Sequence, residues 1–386
     1  MLIGGKMVGR LLLAGVVALF AVPLAPATAL AEPVKCSPER GVYTVSEPWA
    51  QLRLDYKSVW PITRGERVTV AVIDSGIDPT HPQLRPYRFY DKTNTGTRDC
   101  VGHGTAVAGI IAARPDPRVP FAGVAPGVRL VVFKQTNEPT GDPNVLAECI
   151  VQAADLGVDV INISMQTGNH SYLKNAIDYA LAKDVVVVAA AGNIDPSKER
   201  NAQPIYPASY PGVLAVGAAG PDGKRADTSN NATPVGVLAP GTDITSTWTG
   251  KAYVNGQQGT SFAAPYVAGV AALIRARYPK LTQEQVRWRI ETTADGRSGK
   301  GTGAGMVNPK LAVNAILPAE NAPVVAQPEL PLDPNAISRV PQPDKKAISV
   351  SSAVAAAALA GAGLVAVGGV VVPLGRKRGW RAGRNS

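Results

Sequence analysis

Three side chains with complementary chemistry are spread along the sequence, each within two residues of a glycine. They are the carboxylate of Asp74 in Asp74-Ser75-Gly76, the imidazole of His103 in Gly102-His103-Gly104-Thr105, and the hydroxyl of Ser261 in Gly259-Thr260-Ser261-Phe262-Ala263-Ala264-Pro265. A hydroxyl becomes a nucleophile when an imidazole takes its proton and a carboxylate fixes the tautomer of that imidazole and balances its charge. Taken singly, each residue has an ordinary explanation. Ser261 stands where a helix N-cap serine would stand, among unpaired backbone N–H groups that favour negative charge. Asp74 could cap a turn, Asn193 in Gly192-Asn193 reads as a turn former, and a lone histidine is usually structural. Against that, His103 opens a helix, its flanking glycines leave the ring uncovered, and the chain has only three histidines.

The elements that must position these residues are legible as alternating patterns. Val68 to Asp74, Val128 to Lys134, Val158 to Ser164, Val185 to Ala190 and Val213 to Gly217 are short, nearly continuous apolar runs rich in β-branched residues, as strands buried on both faces require. Helical patterns cover about 104 to 113, 144 to 156 and 171 to 182 between them, and Ser261 to about Arg277 after them. Thr282-Gln283-Glu284-Gln285 fits a capping box opening a further helix through Ile290. Strands alternating with helices imply an α/β fold with a mostly parallel central sheet flanked by helices. Ligands in such folds bind beyond the carboxyl ends of the strands, and Asp74 closes the first.

Three blocks then coincide in one order. Val72-Ile73-Asp74-Ser75-Gly76, Gly102-His103-Gly104-Thr105 and Gly259-Thr260-Ser261-Phe262-Ala263-Ala264-Pro265 resemble the signature blocks of the subtilisin-like serine proteases, over about residues 62 to 315. The resemblance implies a subtilisin-like fold, Ser261 as nucleophile, His103 as base and Asp74 as its orienting carboxylate. It implies that Asn193, in Ala189-Ala190-Ala191-Gly192-Asn193, forms an oxyanion hole with the backbone N–H of Ser261. It also implies a substrate cleft with Ser164, Met165 and Gln166 on one wall and Ala190, Ala191 and Gly192 on the other. The family pattern has glycine nearer the front of the first wall, whereas Gln166 and Thr167 here precede Gly168, so a broad apolar preference is not carried over. Relatives often bind calcium, which stays open here because no dense Asp/Glu loop or metal-ligand spacing names a ligand set; no metal-binding residue is assigned and no cofactor is expected.

Both ends of the chain read as export and membrane signals. Lys6 and Arg10, an apolar run from Leu11 to Leu24 and Ala29-Leu30-Ala31 fit a cleaved signal peptide at 1–31. Ala353 to Leu374, uncharged, is long enough to cross roughly 30 Å of hydrocarbon as a helix. Arg376, Lys377, Arg378, Arg381 and Arg384 follow it, which places the tail in the cytoplasm and the bulk outside. These five cations supply half of the net charge of +10, so the remainder gives no reason to expect nucleic acid. The expected organisation is signal peptide 1–31, an extension 32–61 lying irregularly over the domain, a catalytic domain 62–316, a linker 317–346 with seven prolines, a transmembrane helix 347–375 and a cytoplasmic tail 376–386. Of three cysteines, Cys149 falls in a predicted apolar helix as a buried thiol, and Cys36 and Cys100, both in irregular stretches, are the expected disulfide.

Only about 36 residues separate Ala31 from Val68, too few for an independent folding prodomain. That short Cys-bearing extension, Asp99-Cys100-Val101-Gly102-His103, the Pro-rich linker and the terminal apolar helix together resemble the mycosins, the membrane-anchored subtilases of type VII secretion. The resemblance implies exported protein substrates and association with a secretion membrane complex. Two functions follow as expectations: a tethered endopeptidase processing a few exported proteins, or a mainly structural part of the secretion machine with proteolysis secondary.

Overall fold

The computed structural model describes residue 36, residues 38–138, 140–296 and 299–318, and isolated positions at 358, 369, 373–375 and 377–379. Contacts divide the chain into Met1–Val324 and Val325–Ser386, and every element below belongs to the first unit. Among the described residues no helix is long and apolar enough to cross a membrane. The expected signal peptide, most of the linker and nearly all of the uncharged stretch 353–374 lie outside the described residues.

Seven strands form one parallel sheet. In chain order they are β1 (Thr69–Asp74), β2 (Pro86–Asp91), β3 (Arg129–Lys134), β4 (Val160–Ile163), β5 (Val186–Ala190), β6 (Leu214–Ala219) and β7 (Val237–Pro240), arranged 2-3-1-4-5-6-7. The order reverses beside β1, which has β3 on one side and β4 on the other, so a crevice opens at their carboxyl ends. Side chains alternate across the strands: Val70 and Val72 of β1 enter one core, Ala71 and Ile73 the other. Six consecutive buried positions in β1 leave no polar face for solvent, so both faces must be covered.

Helices α3 (Pro143–Asp155) and α4 (Ser171–Ala182) cover one face, their apolar stripes meeting Ala71, Ile73, Val187 and Ala189. On the other face α2 (His103–Ala112) and α5 (Thr260–Arg277) pack together, α5 running across β4 to β7. In α5 every residue from Thr260 to Arg275 is buried except Ser261. A helix apolar on nearly all sides is a central element rather than a surface one. Thr282 and Gln285 make the expected reciprocal capping box at the start of α6 (Gln283–Thr292), and α7 (Pro309–Asn314) closes the domain.

The segment 32–61, read as irregular, holds the short helix α1 (Trp49–Leu54) and a 3-10 turn over Tyr56–Val59. Tertiary contacts account for this order. Gln51 is buried and bonds Pro120 O and the Ala122 N–H, Tyr56 donates to Ala122 O, and Trp49 Nε1 donates to Thr242 O. Further out, Val42 pairs by two backbone bonds with Tyr253 in the hairpin formed by β8 (Ile244–Thr247) and β9 (Tyr253–Gln257). Cys36 and Cys100 are disulfide-bonded, and Cys149 is a buried free thiol whose pKa burial pushes up to about 12.

Candidate active site

Asp74 ends β1 at the crevice and is buried, as the last residue of a strand covered on both faces must be. Its Oδ1 lies 2.8 Å from Nδ1 of His103 and also accepts the Ser75 N–H at 2.8 Å and the Ser75 hydroxyl at 3.2 Å. Three donors on one oxygen hold the carboxylate toward the imidazole. With Nδ1 bound to Asp74, the other ring nitrogen, Nε2, is the one free to exchange a proton. The side chain of His103 is 24% exposed and that of Asp74 2%, so the ring alone meets solvent. Burial by itself would push the imidazole pKa down; the charge and hydrogen bond of Asp74, helped by the charge of Asp99, carry it above the usual histidine value.

His103 is the first residue of α2, and Gly102 before it has φ +88, a left-handed conformation that favours glycine. A side chain there would also strike the indole of Trp248, 2.4 Å away. Trp248 in turn donates through Nε1 to Glu39 O, so the N-terminal segment buttresses the histidine loop from behind. Below the loop lies Asp99, 1% exposed. Its Oδ1 accepts from Ser75 Oγ, Val101 N and Gly102 N, and its Oδ2 from Thr105 N and Oγ1, at 2.6 to 3.1 Å. Ser75 thereby bridges the two carboxylates. Lys134, at the end of β3, buries its ammonium and donates to Thr95 Oγ1, Gly96 O and Arg98 O, holding the segment that leads into Asp99.

Ser261 is the second residue of α5, and the cap position belongs to Gly259 rather than to the serine. Its hydroxyl makes no hydrogen bond among the described residues and is the one opening to solvent in an otherwise buried stretch of helix. Asn193 leaves β5 beside it. The Oδ1 of Asn193 accepts from the N–H of Thr260 at 2.9 Å and from its hydroxyl at 3.3 Å, which turns Nδ2 outward. A methyl built on Gly259 would meet the Asn193 amide, with Nδ2 at 3.1 Å and Oδ1 at 3.3 Å, and Ser261 Oγ at 3.4 Å, so the amide and the hydroxyl flank one spot. An oxygen gaining charge there meets an amide donor and the N–H of Ser261 in the first turn of the helix.

One cavity of about 190 Å³ is lined by Asp74, His103, Asn193 and Ser261 together with Ser164, Met165, Gln166, Ala190 and Gly192. Ala191 does not join them: it is fully buried, its N–H bonded to Val216 O and its carbonyl to the Thr233 hydroxyl. Thr136 and Glu138, on the loop after β3, also line the cavity and were not anticipated from the sequence. The other two histidines stay away. His81 is buried and bonded through Nε2 to Ala252 O, and His170 precedes α4. No group of His, Cys, Asp and Glu suited to a metal ion occurs among the described residues.

Comparisons with known proteins agree in kind. A profile described as "Subtilase family" matches residues 65–314. Mycosin-1 of Mycobacterium tuberculosis is 37% identical over 329 residues, 70% of this chain and 74% of the relative. A thermophilic serine proteinase of a Bacillus species is 41% identical over 251 residues, 63% of this chain; the chain spans only 60% of that relative's length. Among solved structures, that of MycP1, described as a serine protease and an essential component of the type VII (ESX-1) secretion system, superposes with a TM-score of 0.62 at 34% identity, covering 73% of this chain and 96% of that one.

Proposed function

The chain belongs to the subtilase family of serine endopeptidases and is related to the mycosins, and we propose that it is a membrane-anchored member in which Asp74, His103 and Ser261 carry out acyl transfer. The observation that carries this reading is the 2.8 Å contact between His103 Nδ1 and Asp74 Oδ1 in the same cavity as Ser261 and Asn193. Nε2 of His103 takes the hydroxyl proton as Ser261 Oγ bonds to the peptide carbonyl carbon. The displaced electron pair moves to the carbonyl oxygen, held by Asn193 Nδ2 and the Ser261 N–H. Collapse of this intermediate breaks the C–N bond, and His103 returns the proton to the leaving amine. Water then repeats the sequence on the acyl ester and regenerates Ser261. Ser261 and His103 share the cavity, and the hydrogen bond between them forms as substrate docks, as is usual for catalytic hydrogen bonds that are loose in the free enzyme.

The signal peptide at 1–31, the linker at 317–346, the apolar segment 347–375 and the basic tail at 376–386 support a single-pass arrangement with the catalytic domain outside the cytoplasmic membrane. Substrates in that setting are exported proteins. A second reading, a structural part of a type VII secretion complex, is favoured by the description of MycP1 as an essential component of such a system. Membranes carrying the full-length chain, treated with a fluorophosphonate, should be labelled at Ser261, and Ser261→Ala should not. No labelling, while an added subtilisin reacts in the same tube, refutes the catalytic reading. Export that survives Ser261→Ala but stops on deletion of the whole chain assigns the structural role.

A further inference from the structure

The gap beside the nucleophile is crossed by a side chain. β4 and β5 are neighbouring parallel strands with Ile163 opposite Ala189, so the segments leaving their carboxyl ends, Ser164 to Gln166 and Ala190 to Asn193, run out side by side. An acyl group with its carbonyl carbon at Ser261 and its oxygen at Asn193 shares one cavity with His103 and with both segments. The gap between the two segments is where the side chain of the residue supplying that carbonyl can enter.

Gln166 reaches over this gap. Its Oε1 accepts the backbone N–H of Asn193 at 3.2 Å, and a methyl on Gly192 would come within 2.8 Å of the same oxygen. Ile205 packs against the same glycine, with Cδ1 2.6 Å from that methyl. Gly192 has φ +95 and its N–H is bonded to the Thr260 hydroxyl at 3.0 Å, so this wall is anchored to α5 and does not swing away. The opposite wall is also tied down, because Thr167 exchanges two backbone bonds with Tyr206 and Met165 Sδ accepts a bond from Gln135 Nε2. What can move is Gln166 itself, which is exposed and held across the gap by one neutral hydrogen bond.

We infer that Gln166 is a specificity-determining strap that reserves the slot beside Ser261 for small side chains, such as those of alanine or serine, at the residue whose carbonyl is attacked. A small side chain fits beneath the strap. A large apolar one has to break the Gln166–Asn193 bond and push the side chain into solvent, a penalty of about tenfold in kcat/KM on the scale of a single neutral hydrogen bond. The strap also steadies the backbone of Asn193, so displacing it disturbs the donor that meets the developing oxyanion. This inference rests on the catalytic reading of Ser261.

The test uses full-length protein in detergent and peptide anilides identical except for Ala, Leu or Phe before the scissile bond. The wild-type chain should favour Ala. Gln166→Gly and Gln166→Ala should each raise the Phe-to-Ala ratio of kcat/KM about tenfold, and Gln166→Glu, which keeps the length and an acceptor oxygen, should restore the wild-type ratio. A thermal melt like that of wild type, together with fluorophosphonate labelling of Ser261 at whatever rate, shows that each variant is folded. Labelled variants with a ratio within twofold of wild type, or a wild-type preference for Phe, overturn the inference while leaving the catalytic reading intact. A wild-type chain that neither cleaves any peptide nor is labelled overturns both.

Discussion

Replacing Asp99 by asparagine separates two contributions to the site, one to stability and one to proton chemistry. The carboxylate is 1% exposed and accepts five hydrogen bonds, three on one oxygen and two on the other. An amide has one acceptor oxygen and one NH2 group, so in either orientation at least two of these bonds to the carboxylate are lost and at least one backbone N–H is left facing a donor. A hydrogen bond to a charged group contributes about 1.5 to 3 kcal/mol, so the loss is about 3 to 6 kcal/mol. For a domain of this size each kcal/mol lowers the melting temperature by about 2 to 4 °C, giving a fall of about 6 to 24 °C. The second effect is electrostatic. The charge of Asp99 helps hold the pKa of His103 above the usual value, and removing it lets that value drift down. The acid limb of the kcat/KM profile, which reports protonation of the free base, should then move to lower pH even as kcat falls. Thermal melts followed by circular dichroism and a pH series on a peptide substrate at temperatures below the transition measure both. A melting temperature within 2 °C of wild type would refute the accounting for the buried carboxylate. A lower melting temperature with an unmoved acid limb would confine Asp99 to a purely structural role.

Three other outcomes are expected. Asn193→Ala should lower kcat by about 100 to 1,000-fold with KM changed little, the scale measured for the corresponding donor in subtilisin, a relative of this chain; an equal loss in KM would mean that the amide binds ground state and transition state alike. For the wild-type chain kcat/KM should rise with pH through a value above that of a free histidine, about 6.5, while the stability contributed by the protonated His103–Asp74 pair is complete below about 6.5 and is lost as pH rises through the raised value; a flat rate profile between pH 5 and 8 would contradict the assignment of the base. Lys134→Met should leave Thr95 Oγ1, Gly96 O and Arg98 O without their donor, lowering stability by about 2 kcal/mol or more and exposing residues 95–98 to limited proteolysis; an unchanged melt and digestion pattern would show that the ammonium is dispensable there.

The parts of the fold that could be read from the sequence are those whose burial is uniform. β1, β3, β4, β5 and β6 are continuous apolar runs because helices cover both faces, and α4 falls on the expected 171–182 because its stripe has a single partner surface. β2 escaped because it is an edge strand that begins with proline and stays half-exposed, without a run to recognise. The hairpin of β8 and β9 is rich in Thr, Ser, Asn and Gly, and depends on Val42 and the start of α2 for its partners. The positions of Asp74, His103, Asn193 and Ser261 were legible because glycine and a helix or strand end bracket each of them. The part of Asp99 was not, since its donors come from Ser75, Val101, Gly102 and Thr105 and converge only in three dimensions. Ala191 was placed on the cleft wall by its neighbours in sequence, but strand alternation turns it inward between Ala190 and Gly192.

The bond between Cys36 and Cys100 closes a covalent ring that contains β1, and with it Asp74. A single nick anywhere inside that ring opens the loop without releasing a fragment. A protease that clipped the chain just ahead of β1 would therefore yield two polypeptides that migrate as one until a reductant is added. The clipped piece would still accept the Trp248 indole N–H at Glu39 O and pair through Val42 with Tyr253. Maturation by cleavage and removal of the N-terminal segment are, for this chain, two separate chemical events, and in an oxidising compartment the first does not bring about the second.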